Sequence, residues 1–158
     1  MNAAVFCVGA LKEKWQKDGC AEYLKRLTRY GRYEVVEVPD EPEPVKPSPA
    51  LNAMVMEKEG RALLARLRPQ DRVVALCIDA RQQTSEQLAA FFRQREMSPA
   101  RVVYVIGGSL GLHPDVLARA DETLSMSQMT FPHQLARVML LEQIYRAHKI
   151  KAGEKYHK

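Results

Sequence analysis

Val102-Val103-Tyr104-Val105-Ile106-Gly107-Gly108-Ser109-Leu110-Gly111-Leu112 reads as a buried strand that opens into a glycine turn. An unbroken run of β-prone apolar residues suits a strand covered on both faces. Gly107, Gly108 and Gly111 then offer positive φ and close backbone approach. Working outward, the same pattern recurs at 72–79, Arg-Val-Val-Ala-Leu-Cys-Ile-Asp, and at 3–9, Ala-Ala-Val-Phe-Cys-Val-Gly. Two shorter β-prone runs lie at 33–38 and 122–126.

Helical spacing fills the gaps between these runs. Over 12–28, Trp15, Cys20, Tyr23, Leu24 and Leu27 recur at threes and fours, and Gly31 stops the helix. Residues 51–67 read as a second helix with Leu63, Leu64 and Leu67 inward, ended by Pro69. Thr84 caps a third helix running to about Arg95, with Glu86 and Gln87 at its start. A short helix spans 113–119, and the last runs from Pro132 to about Lys149, with Thr130 or Phe131 as its N-cap and Pro132 at its first position. From Pro39 to Pro49, five prolines and three acids make a surface loop. Strands alternating with helices predict an α/β fold: a mostly parallel sheet with helices on both faces, in one domain over 1–158.

Composition sets the bounds. The chain has 158 residues, 46% hydrophobic and 27% charged, as in ordinary globular proteins. No apolar run approaches the ~20 residues of a membrane helix, so no membrane partner is expected. The N-terminus lacks a basic leader region and reads as a first strand rather than a signal peptide. Cys7, Cys20 and Cys77 form no metal-ligand spacing. Cys7 and Cys77, inside predicted strands, read as inert core residues, which favours a reducing cytoplasm. A net charge of +5 is compatible with a polyanionic partner and equally with plain solubility.

Ligands of open α/β sheets bind at the carboxyl ends of strands. Here those ends are Asp79-Ala80, Gly107-Gly108 and the loop Ser125 to Phe131. That loop interleaves Ser125, Ser127, Gln128 and Thr130 with Met126, Met129 and Phe131. Hydrogen-bonding groups beside soft apolar walls suit an adenine and a thioether or sulfonium; a capped strand-to-helix connection explains the loop equally well. The glycine turn is neither a Walker loop nor a dinucleotide fingerprint, which disfavours a nucleotide-binding oxidoreductase. Arg146 reads either as a solvated ion pair with Glu142 or as a contact to a uracil or phosphate. The tail, with Lys149, Lys151, Lys155, Tyr156, His157 and Lys158, reads as a frayed basic end or as an RNA-contacting arm.

Taken together, Ile106 to Leu112, Leu124 to Gln134, Leu141-Glu142-Gln143-Ile144-Tyr145-Arg146-Ala147, Tyr156-His157-Lys158 and Glu37-Val38-Pro39-Asp40-Glu41 closely resemble the RlmH family, from the first strand to the last residue. The resemblance implies a SPOUT-class methyltransferase: a small homodimer with a C-terminal trefoil knot that uses S-adenosylmethionine (SAM), without a metal. It implies methylation at N3 of pseudouridine 1915 in helix 69 of 23S rRNA. It places the cofactor at Leu76, Gly107, Gly108, Met126, Ser127, Gln128, Met129, Thr130 and Phe131, and assigns Arg146, Tyr156 and His157 to the catalytic and RNA-binding surface. A +5 charge is thin for gripping RNA, so the dimer is expected to recognise the assembled 70S ribosome. Alternatives are another RNA target, such as tRNA, and a non-catalytic ribosome-associated binding protein.

Overall fold

In the computed structural model, which describes residues 1–157, strands and helices alternate along the chain. The order is β1 (Asn2–Val8), α1 (Lys14–Leu27), β2 (Arg32–Val38), α2 (Pro49–Leu64), β3 (Arg72–Leu76), α3 (Ser85–Gln94), β4 (Val102–Ile106), α4 (Pro114–Arg119), β5 (Glu122–Leu124) and α5 (His133–Lys151). Lys158 of the proposed basic arm lies outside the described residues. The strands form one parallel sheet in the order β2-β1-β4-β3-β5.

Strand alternation divides the core in two. Ala3, Val5, Cys7, Val102, Tyr104 and Ile106 face one layer, closed by Cys20 and Leu27 of α1, Phe92 of α3 and Leu141 and Ile144 of α5. Ala4, Phe6, Val8, Val103 and Val105 face the other, closed by Leu63 of α2 and Val116 of α4. Helices therefore cover both faces, as expected. Burying a side chain such as Phe92, fully inaccessible here, contributes about 2–3 kcal/mol.

Four expectations need correction. β3 stops at Leu76, short of 79: its pairing ends at Ala75 with β4 and at Leu76 with β5, and the Ala80 N–H closes a turn on the Cys77 carbonyl. Cys77 is consequently half-buried outside the strand, not a core residue. Pro132 is the N-cap of α5 rather than its first residue; it has no side-chain acceptor, and its carbonyl takes the first helical bond from the Ala136 N–H at 2.9 Å. Trp15, five residues before Cys20, stands about 140° round α1 from it and is 55% exposed; the buried position one turn before Cys20 is Gln16.

Candidate active site

The carboxyl ends of β3, β4 and β5 open into a cleft of about 890 Å³, within the range of small-molecule sites. Leu76 and Ile106 form its floor, and Leu112, Leu117, Met126 and Phe131 form apolar walls. Backbone from Gly107 to Gly111, Ser127, Met129, Thr130 and the start of α5 complete the rim. The glycines act in different ways. A Cβ on Gly107 would sit 2.8 Å from the Gly111 carbonyl carbon, so only glycine lets the turn fold back on itself. Gly111, at φ +87°, needs the left-handed region. Positive φ, expected at all three, occurs only there; Gly107 and Gly108 serve close approach.

The two serine hydroxyls expected to face a ligand are used within the loop. Ser125 donates to the Ser127 carbonyl at 3.0 Å, and the Ser127 Oγ accepts from the Met129 N–H at 3.0 Å. That turn sends Gln128 outward to a separate depression with Ile78, Asp79, Ala80 and Gln82, so Gln128 does not line the cleft. Of the residues assigned to the cofactor, Leu76, Gly107, Gly108, Met126, Ser127, Met129, Thr130 and Phe131 do.

Buried charge braces the cleft from behind. Arg137 of α5, 1% exposed, bonds Glu37 at the end of β2 and donates at 2.8 Å to the Gly9 carbonyl beyond β1. Its Nε has no partner among the described residues. His133, one turn earlier, lines the cleft; burial, then the Arg137 charge, pushes its pKa down and keeps it neutral. Glu59 of α2 is 5% exposed, and its carboxylate would lie 2.9 Å from a Cβ on Gly108. Burial, with nearby Asp40, Glu41 and Glu43, pushes its pKa up.

A second constellation lies further along α5. Glu142 accepts from Arg146 Nη2 at 2.6 Å, from Gln143 at 2.8 Å and from the Tyr156 hydroxyl at 3.1 Å. The Arg146 guanidinium sits 4.7 Å from the Tyr156 ring centre, and that ring packs edge-on against Tyr145 at 5.0 Å. His157 contacts Glu86 of α3 at 2.7 Å and Arg146 at 3.5 Å. Glu154 ties the tail down by accepting from Tyr30 at 2.9 Å and pairing with Lys149. The tail is docked through 157, not frayed, and Arg146, Tyr156 and His157 stand together.

A family model described as "Predicted SPOUT methyltransferase" matches residues 1–157. The chain belongs to the SPOUT methyltransferase family. Relatives named "Ribosomal RNA large subunit methyltransferase H" are 54% identical in Bifidobacterium animalis subsp. lactis and 48% in Bacillus thuringiensis, each over 100% of both chains. A methyltransferase of Legionella pneumophila, solved in complex with bound SAM, superposes with a TM-score of 0.50 at 11% identity, over 93% of this chain and 66% of that one; this likeness concerns the fold alone.

For a SPOUT methyltransferase, the cleft has the fitting chemistry: apolar walls, a backbone cradle that a Cβ would fill, and room for a nucleoside. Among the described residues no group of three or more His, Cys, Asp or Glu side chains could hold a metal ion, and no helix is long and apolar enough to cross a membrane. Sequence reasoning missed Cys77 and Ile78 in the cleft lining, and the braces Arg137 and Glu59. A signal existed for Arg137: it shares the buried stripe of α5 with Leu141, Ile144 and His148 at helical spacing, and a charge on such a stripe needs a buried partner.

Proposed function

We propose that this SPOUT methyltransferase transfers a methyl group from SAM to N3 of pseudouridine 1915 in helix 69 of 23S rRNA, acting as a homodimer on the assembled 70S ribosome in the cytoplasm. The observation that carries the reading is the full-length identity of 54% and 48% to relatives named for large-subunit rRNA. The trefoil knot implied by the resemblance belongs to the same reading.

SAM, when bound, supplies a methyl group already activated by the positive sulfur. What the chain must add is alignment, exclusion of water and removal of the N3 proton. Leu76, Ile106, Met126 and Phe131 exclude water, and backbone at Gly107, Gly108, Ser127 and 129–131 orients the cofactor. Arg146 stabilises negative charge on the ring oxygens as N3 loses its proton. His157 accepts that proton, and Tyr156 holds the ring by stacking or a hydrogen bond. The N3–H pair stays on nitrogen and forms the N–CH3 bond, the C–S pair stays on sulfur, and the proton leaves His157 for solvent.

These parts do not converge within one chain. Arg146 lies about 15 Å along α5 from Ala136, the last α5 residue at the cleft, at ~1.5 Å of rise per residue. None of Arg146, Tyr156 and His157 lines the cleft. This supports a composite site in which one protomer's tail meets its partner's cofactor.

The test is transfer of labelled methyl from SAM to 70S ribosomes lacking the modification, with the product nucleotide mapped. Label at N3 of that pseudouridine is expected. Label elsewhere in RNA, or none from folded dimeric protein, overturns the assignment. At SAM concentrations that fill the wild-type site but not that of Gly107→Ala, where neither variant turns over alone, mixing Gly107→Ala with Arg146→Ala protein should restore about a quarter of wild-type turnover, through heterodimers with one intact site. No restoration would mean that each chain supplies its own tail.

A further inference from the structure

The geometry points to Glu86 as a positioning residue that fixes the tautomer of His157 for proton abstraction. The inference rests on the reading of His157 as the base.

His157 is held from both sides. Its Nε2 lies 2.7 Å from Glu86 Oε1, and its Nδ1 lies 3.5 Å from Arg146 Nη1. A guanidinium only donates and an ionised carboxylate only accepts. One neutral tautomer satisfies both neighbours: Nε2–H donating to Glu86, with the Nδ1 lone pair turned to Arg146. Glu86 is suited to that task. It stands in the first turn of α3, where its own backbone N–H, then His157, holds its carboxyl below the usual range, so it stays anionic. The start of α3 is itself fixed by a reciprocal capping box between Thr84 and Gln87. A first-turn acid is ordinary helix chemistry. A histidine 71 positions away seated on it is not explained by the helix.

The groups facing His157 are Glu86 from α3 and Arg146 from α5, the latter already paired with Glu142. Arg146 thus covers the lone pair that has to receive the N3 proton. When the developing charge on the target ring draws the guanidinium away, Nδ1 is uncovered with its tautomer already set. The N3–H bond breaks and an Nδ1–H bond forms, giving an imidazolium whose Nε2–H remains on the Glu86 carboxylate. Glu86 is 59% exposed at the side chain, so its contribution is orientation rather than stability.

Two readouts test this, one independent of turnover. In protein with 15N-labelled histidine at alkaline pH, His157 should be the Nε2–H tautomer. Glu86→Ala should give a mixture, and Glu86→Gln should keep the wild-type form through its amide oxygen. With 70S substrate, Glu86→Ala should lower kcat about tenfold, part of the ~100-fold or more that a general base supplies, with KM and SAM affinity unchanged. Glu86→Gln should restore most of that loss, and Glu86→Ala/His157→Ala should be no slower than His157→Ala. An Nδ1–H tautomer in the wild type, unchanged kcat in Glu86→Ala, or losses that multiply in the double variant would each overturn the inference while leaving His157 as base. Full kcat in His157→Ala would sink the base reading and this inference with it.

Discussion

The cleft at the ends of β3, β4 and β5 is made of backbone, glycine and apolar walls, whereas the cluster around Arg146 is made of long charged side chains paired with carboxylates. In the cleft, shape is set by what is missing: a Cβ at Gly107 or Gly108 would meet atoms under 3 Å away. In the cluster, position is set by what is present, since Glu142 accepts from Arg146, Gln143 and Tyr156 together. A ligand present throughout turnover suits the first kind of site. A charge that develops and vanishes suits the second, where paired groups can exchange partners.

The comparison breaks if damage to one region spreads to the other. The largest effect is expected from Arg146→Ala: kcat on 70S particles should fall by about 10²–10³, the scale of losing one charge-stabilising donor, while calorimetry finds SAM affinity unchanged. Weakened SAM binding would merge the two regions. Gly107→Ala should do the reverse. Its Cβ forces the turn open against Gly111 backbone, so SAM binding should weaken about 30-fold, ~2 kcal/mol, with kcat at saturation little altered. Unchanged affinity there would mean the turn is not part of the cofactor site.

The smallest effect concerns the support beneath the cluster. His148 of α5 is 2% exposed, stacked between Tyr30 at 4.8 Å and Phe92 at 5.0 Å, and bonded to the Tyr33 hydroxyl. Burial pushes its pKa down to about 4. The unfolded chain takes up this proton below pH ~6.5, whereas the folded one resists until about 4. Its contribution is therefore full above the unfolded value and is lost as pH falls between these limits. About 1 kcal/mol should disappear from pH 7 to 5.5 in urea unfolding, and His148→Phe should remove that portion of the slope. An unchanged slope would show that another group carries it.

Element type and order were legible because the apolar runs at 3–9, 72–79 and 101–106 are long, and the helices between them carry clear stop signals in Gly31 and Pro69. The glycine turn and the 125–131 loop marked the cleft for the same reason: strand ends and glycines are local features. The partners were not legible. Glu86 reads as a helix-start acid and Glu142 as a surface ion pair, because pairing with His157 or Tyr156 is settled only when α3, α5 and the tail pack together. The end of β3 was misplaced because it depends on where pairing with β4 and β5 stops, and both partners lie downstream. That Gln128 stands outside the cleft was not legible, because residue types do not mark the turn closed by the Met129 N–H on Ser127.

Arg137 joins Glu37 and Gly9 across separations of 100 and 128 residues. Contacts of that span form late, since the intervening chain must first be ordered. During synthesis the first three strands emerge long before α5, so the cleft stays unbraced until the ribosome has made nearly the whole protein. The order of manufacture thus sets when cofactor can first be held: a nascent chain truncated before Arg137 should retain none.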